Sequence, residues 1–331
     1  MTETRRILVI RRDNIGDLVC TTPLLAALRA QFPEASVEVL ANSYNAPVLA
    51  GNPDIDRVHV YQKLKHLGNG GGAISALGER IGLLWKLRRN RFDVVVVASG
   101  AVDLRAVKLA RMLAPGRIVL SDGPVPGQHE VERTFTAART LGIQGPLPTL
   151  RVVAGVAALS RARQGIESAG HGSSRKIVGL HISARREKQR WPPERFAELS
   201  IALNDRWGAT VMLFWSPGGK VQAQHPGDDE KARIIQHLVA GKARLVPWPT
   251  TRLEDLIGGL AACDVVVCSD GGAMHVAAGL GKPIACFFGD SDLDRWRPWG
   301  VKHIVLRPES RLVEDIPVRD ACDSAASLLG G

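Results

Sequence analysis

The sequence predicts an α/β protein of two doubly wound parallel-sheet units, and three observations carry that prediction. The chain has 331 residues, more than one ordinary core organises and comfortable for two domains. Short continuous apolar runs recur along it, each the mark of a strand buried on both faces. Stretches of helical periodicity separate those runs, the order that builds a parallel sheet.

Taken in order, residues 7–10 (ILVI) form the first strand, followed by a loop and a helix through residues 24–31. Residues 37–40 and 58–61 read as the next strands, and the glycine run at 68–72 as a flexible loop. A helix over 74–89 leads into a central strand at 94–97; a strand at 118–120 and a helix at 131–141 follow. Around residues 152–174 the alternation breaks into Ala-, Gly-, Ser- and Arg-rich sequence, the composition of a linker. It then restarts, with strands expected at 177–181, 211–215, 265–268 and 284–288 and helices at 194–204, 230–239 and 253–262. A last apolar run at 304–306 precedes a helix near 321–329. The expected division is an N-terminal domain over 1–155, a linker over 156–175, a C-terminal domain over 176–310 and a helical tail over 311–331.

Composition narrows the class. With 45% hydrophobic and 23% charged residues, the chain is a folded globular protein rather than a disordered one. The apolar run after Met1-Thr-Glu-Thr-Arg-Arg is too short for a signal peptide, and no stretch of apolar residues is long enough to span a bilayer. Five scattered cysteines without a CxxC pair predict neither a disulfide framework nor a zinc knuckle, and fit buried thiols in a cytoplasmic protein. The net charge of +10, shared between the halves, favours acidic partners: nucleotide diphosphates, phosphorylated glycans or anionic lipid. Basic residues do not interleave with aromatics, so nucleic acid is not an expected partner.

Three motifs carry chemistry. In Arg11-Arg-Asp-Asn-Ile-Gly-Asp17, a single glycine replaces the GxGxxG of a dinucleotide site, which argues against a nicotinamide-dependent oxidoreductase. Gly16 permits close approach, and Asp17 is either a general base for a sugar hydroxyl or an acid favouring a helix N-terminus. In Ser269-Asp-Gly-Gly-Ala-Met-His275, two glycines at a strand-to-helix turn free the amides of Gly271, Gly272, Ala273 and Met274 to face an anion. Asp270 suits a ribose, an amide or a cation, and His275 suits a donor to a pyrophosphate; the alternative is a simple turn with a core histidine. In His181-Ile-Ser-Ala-Arg-Arg-Glu-Lys-Gln-Arg-Trp191, Ser183 offers a hydroxyl, while Arg185, Arg186, Lys188 and Arg190 offer cations that stabilise a leaving diphosphate or form a solvated basic loop.

These motifs, with Phe288-Gly289 and Trp296-Arg-Pro298, come in the order seen in glycosyltransferase family 9, which includes the ADP-heptose:lipopolysaccharide heptosyltransferases. The chain resembles that family from Arg6 to about Gly300. The resemblance implies a GT-B fold, two Rossmann-like domains facing a central cleft, with the acceptor mainly on the first and the nucleotide-sugar on the second. It implies an inverting transfer without metal or other cofactor, ADP-heptose being the donor substrate. Asp17 falls at the family's catalytic base; Asp270, Gly271, Gly272, Ala273 and His275 fall at its donor turn; Ser183 and Lys188 fall near its diphosphate-binding hydroxyl and lysine.

The chain departs from the family at Gln189, where a lysine is common two residues before the tryptophan, so Lys188 and Arg190 both stand as diphosphate cations. Asp228, Asp229 and Glu230 stand as ribose acids, and Asp290-Ser-Asp292 is read as a solvated loop rather than a metal site. A basic strip of Lys63, Lys65, Arg80, Lys86, Arg88, Arg89 and Arg91 against the single acid Glu79 suits an acidic glycolipid or glycan acceptor and peripheral contact with the anionic inner membrane. The alternatives are a transferase with another donor or with a protein or polysaccharide acceptor, and a non-catalytic nucleotide-sugar-binding module.

Overall fold

The computed structural model describes residues 4–61, 72–170, 176–219 and 227–330. It divides into two compact units, Met1–Arg151 and Val152–Gly331.

The first unit is built on a five-stranded sheet of β1 (Arg6–Ile10), β2 (Ser36–Asn42), β3 (Arg57–Tyr61), β4 (Val94–Val97) and β5 (Arg117–Leu120). The strand order is β3-β2-β1-β4-β5, and every pairing is parallel. The central strands β1 and β4 pair Ile7 with Val94 and Ile10 with Val97. Both faces of these strands are covered, which is why the sequence shows unbroken Ile, Leu and Val rather than alternation. The helices are α1 (Ile15–Val19), α2 (Thr22–Gln31), α3 (Gly72–Arg89), α4 (Leu104–Met112) and α5 (Glu130–Thr140). One core joins Leu8, Ile10, Val95 and Val97 to Leu83, Leu84 and Leu87 of α3 and to Ala106, Val107 and Ala110 of α4. The chain runs outward from β1 to β3 and then crosses back to β4, so the order reverses beside β1. Ligands of such sheets gather beyond the carboxyl ends at that reversal.

The second unit has six parallel strands in the order β11-β10-β9-β6-β7-β8. They are β6 (Ile177–His181), β7 (Thr210–Trp215), β8 (Leu245–Pro249), β9 (Val265–Ser269), β10 (Ile284–Phe287) and β11 (His303–Leu306). Around them lie α6 (Val156–Ser168), α7 (Pro193–Trp207), α8 (Asp229–Val239), α9 (Leu253–Ala261), α10 (Gly272–Gly279), α11 (Leu293–Trp296) and α12 (Val318–Leu329). Trp191 centres the core, its ring 4.9 Å from Phe196 and 4.9 Å from Phe287. The expected tail is part of this unit, because Ala321, Cys322, Ala325 and Leu328 of α12 enter the same core.

The structure corrects the expected linker and adds two elements that the sequence reading lacks. Most of the expected linker is helix α6, which belongs to the second unit, and the boundary falls after Arg151. Ala158, Ala162 and Ile166 repeat every four residues and are buried as one stripe; alanine and arginine favour helix as readily as they fill linkers. Helix α4 went unpredicted because its buried stripe is short and mostly alanine. Strand β8 went unpredicted because it holds Pro247 and Pro249, which a strand tolerates at a sheet edge. The expected glycine loop lies outside the described residues except for its last residue, Gly72, which opens α3.

All five cysteines are free and buried. Cys268 and Cys286 are register partners on β9 and β10. Burial pushes the Cys20 and Cys286 thiols well above their usual range and Cys263 up to about 12.

Candidate active site

The loop after β1 is held by two buried asparagines. Asn42, at the end of β2, donates through Nδ2 to the carbonyls of Arg12 (2.7 Å) and Asp13 (3.0 Å). Its own amide donates to Asn45 Oδ1 (3.0 Å). The chain then enters α1, where Asp17 is the third helical residue. Asp17 Oδ2 accepts from the backbone amide (3.1 Å) and Nδ2 (2.8 Å) of Asn14, the contact from the third helical residue back to the N-cap that stabilises a helix start.

Asp17 Oδ1 accepts from Arg11 Nη2 at 2.6 Å, and Arg11 is 1% exposed. The same Nη2 donates to Glu130 Oε1 (2.7 Å), while Nη1 donates to the Ala98 carbonyl (2.7 Å) at the end of β4. Asp13 adds a third carboxylate 3.2 Å from Arg11 Nε. Glu130 opens α5 and is ion-paired to Arg133, whose Nε donates to Oε2 at 2.9 Å. Arg133 also reaches the carbonyl of Asp122 (2.9 Å). Burial lowers the pKa of Arg11, but Asp17, Asp13 and Glu130 outweigh it and raise it overall. Burial raises that of Glu130, but the Arg133 hydrogen bond and the charges of Arg11 and Arg133 bring it down to about 2. Burial is the main cause of the upward shift at Asp13. Sequence reasoning singled out Asp17 and missed Glu130 and Arg133, which lie more than a hundred residues away.

In the second unit the glycine turn lies between β9 and α10. Gly271 and Gly272 reach the surface, whereas Ala273, Met274 and His275 are buried. Among the described residues no side-chain hydrogen bond caps α10, whose N-cap is Gly271. Met274 packs inward, its Sδ 3.0 Å from Cys286 Sγ, so only its backbone is available to a ligand. His275 is 3% exposed and sits edge-on to Trp296, ring centres 5.8 Å apart.

Gln189 stands at the centre of this half. Its Nε2 donates to Asp270 Oδ2 (3.1 Å) and Ser291 Oγ (3.1 Å), and its carbonyl accepts from Ser269 Oγ (2.7 Å). Burial raises the Asp270 pKa against hydrogen bonds from Ser291 and Gln189 and the charges of Arg186 and Arg185. Gly289 lets this loop come close: a Cβ there would lie 2.8 Å from the Lys188 carbonyl.

The two cations left open by the sequence have different surroundings. Arg190 Nη1 donates to the buried Asp228 at 2.9 Å. Lys188 is exposed, with Nζ 3.5 Å from the exposed Asp290. Beside Arg190, Lys231 Nζ donates to the Ile182 carbonyl (3.0 Å), and burial lowers its pKa to about 8. Burial lowers His181 to about 4. Ser183 Oγ accepts from the Ser216 amide at 3.0 Å.

The possible ribose acids all have protein partners. Asp228 holds Arg190, Asp229 accepts from Trp215 Nε1 (2.7 Å) and the Gly218 amide (2.8 Å), and Glu230 pairs with Arg233 on the surface. Of the Asp290-Ser-Asp292 sequence, Asp290 lies near Arg186 and Lys188, Ser291 is buried on Gln189, and Asp292 caps α11. Among the described residues no group of three or more His, Cys, Asp or Glu is arranged to hold a metal ion. No described helix is long and apolar enough to cross a membrane. Lys63 and Lys65 of the basic strip, and the side chains of Glu79 and Arg80, lie outside the described residues.

The model of the family described as glycosyltransferase family 9 (heptosyltransferase) matches residues 80–315, well over half the chain. That span includes the turn after β9 and the loop after β6; the Asp17 loop precedes it. Lipopolysaccharide heptosyltransferase 2 of Salmonella typhimurium is 27% identical over 325 residues, covering 91% of this chain and 88% of the relative. A solved glycosyltransferase family 9 structure from Veillonella parvula superposes with a TM-score of 0.81 at 20% identity, over 99% of this chain and 98% of that one. The structure described as E. coli ADP-heptose lps heptosyltransferase II superposes with a TM-score of 0.74 at 23% identity, covering 98% of each chain. These likenesses show the fold, two Rossmann-like α/β units of the GT-B class. The chain belongs to glycosyltransferase family 9, the heptosyltransferase family, and is a glycosyltransferase.

Proposed function

We propose that the chain transfers heptose from ADP-heptose to a lipopolysaccharide inner-core or related surface-glycan acceptor, in one inverting, metal-independent displacement. The observation that carries this reading is the uncapped, glycine-opened start of α10, inside the span that matches the family. Amides of an uncapped first turn, backed by the helix dipole, bind the oxygens of a diphosphate. The names of the Salmonella and E. coli relatives support the acceptor class and the donor.

In the proposed reaction the acceptor hydroxyl gives its proton to Asp17 as its oxygen attacks the anomeric carbon. The bond from that carbon to the diphosphate breaks, and ADP leaves with the electron pair. A carboxylate has about four acceptor positions, and Arg11 and Asn14 occupy three on Asp17. That leaves room for one hydroxyl, against a carboxylate already fixed in direction. The leaving diphosphate is held by the amides of Gly271–Met274, by His275 and by Lys188, with Ser183 adding its hydroxyl. Lys188 is preferred to Arg190 on energetic grounds. Its pair with Asp290 is exposed at both ends, worth about 0–1 kcal/mol, and exchanges readily for a phosphate. Drawing Arg190 off the buried Asp228 would strand a carboxylate at a cost of about 3–5 kcal/mol.

The test is Asp17→Asn. Turnover is expected to fall about 10²–10⁴-fold, with the thermal shift produced by ADP retained. Unchanged turnover removes Asp17 from the base role. A shift with UDP, GDP or CDP but none with ADP rules out the donor.

A further inference from the structure

The outer faces of α3 and α4 are neighbours on one side of the first sheet, since both helices bury their opposite faces in the same core. Arg88 Nη1 donates to the Met112 carbonyl at 2.8 Å, tying their last turns together. On α4, Leu104, Arg105, Lys108, Arg111 and Met112 are all exposed. At about 100° per residue they share one arc of roughly a third of the helix. Leu104 is 75% exposed. On α3, Ile81, Trp85, Lys86, Arg88 and Arg89 are exposed. Ile81 and Trp85 are about 60% exposed, and the Arg89 guanidinium stacks 4.3 Å from the Trp85 ring. Among the described side chains these two helices present no acid. Asp103, just before α4, is turned into its N-cap, accepting from the Ala106 amide at 3.0 Å.

We propose that this face docks the protein on the surface of an anionic lipid bilayer. Large apolar side chains set among cations are what a headgroup boundary accepts: the apolar groups enter it while the cations meet lipid phosphates. A second copy of the chain would bring the cations described on this face against their own copies. A nucleic acid would take the cations and leave Ile81, Trp85, Leu104 and Met112 without a partner. The inference deepens the reading of a surface-glycan acceptor and rests on it for biological sense, since an inner-core acceptor is lipid-anchored. The docking itself needs neither donor nor acceptor.

The experiment is sedimentation of the full chain with phosphatidylcholine vesicles, with and without phosphatidylglycerol. Binding is expected only to the anionic vesicles, and to weaken about tenfold or more as salt shortens the screening length. Replacing Arg105, Lys108 and Arg111 by Gln should abolish it. Trp85→Ser alone, or Leu104→Ser with Met112→Ser, should weaken it at low salt as well. Equal binding to both vesicle types, no binding to either, or variants that bind like the parent overturns the proposal. So does a dimer in solution that the same variants dissociate. The α4 variants should keep full turnover on a delipidated, water-soluble acceptor. Loss of vesicle binding with turnover intact separates failure of docking from failure of the transfer reading, which Asp17→Asn tests alone.

Discussion

Arg11 supports three carboxylates with one buried guanidinium: Asp13, Asp17 and Glu130. Glu130 is also ion-paired to the buried Arg133, and removing its charge leaves that guanidinium uncompensated away from water, at a cost of about 3–5 kcal/mol. Glu130→Gln should therefore lower the melting temperature at neutral pH and, by loosening Arg11, lower turnover without abolishing ADP binding. The pH dependence has a definite sign. The folded-state pKa of Glu130 lies near 2, below its ordinary 4.5, so its contribution is complete above about 4.5 and is lost as pH falls through about 2. Thermal melts of the parent should lose stability over that window, and Glu130→Gln should lose less. Identical slopes would show that Glu130 does not carry the effect. At this scale the sequence was legible where chemistry is local. Gly16-Asp17 and the Asp270–His275 turn stand out because glycine beside an ionisable side chain is a short-range signal. Glu130 is 119 residues from Arg11, and no local pattern announces that contact. Gln189 was visible only as a departure from the family, while its hydrogen bonds make it the hub between Asp270 and Ser291.

The contact of α6 with α9 shows what glycine does inside a helix. A Cβ on Gly258 would lie 2.6 Å from the backbone carbonyl carbon of Ala158, with no flexible side chain to give way. Gly258→Val should destabilise the protein by about 1–3 kcal/mol or more, read as a melting temperature several degrees lower. An unchanged melting temperature would mean that the two helices separate at little cost. The buried strands were legible to within a residue or two, because a parallel sheet covered on both faces imposes continuous apolar runs. The misread elements share one cause: α4, α6 and β8 hold their place with alanine, glycine or proline, whose packing depends on what approaches them. Close approach is a tertiary fact that composition does not encode.

At the scale of the whole molecule, the alternation of strand and helix fixed the class, two Rossmann-like units, while membership of the family rests on ordered motifs and the 80–315 match. Fold alone underdetermines chemistry, so the donor and acceptor proposed above rest on the site and its relatives rather than on the sheets. The sealed cysteines have a consequence of their own. All five are buried, and at Cys20, Cys263 and Cys286 burial disfavours the thiolate that reacts with electrophiles. Alkylation by iodoacetamide should therefore be slow in the native protein and limited by opening. Cys20 belongs to the first unit and Cys263, Cys268, Cys286 and Cys322 to the second. Mass spectrometry of partly alkylated protein can then time the opening of each half separately, with no engineered label, and fast uniform modification under native conditions would contradict the burial described above.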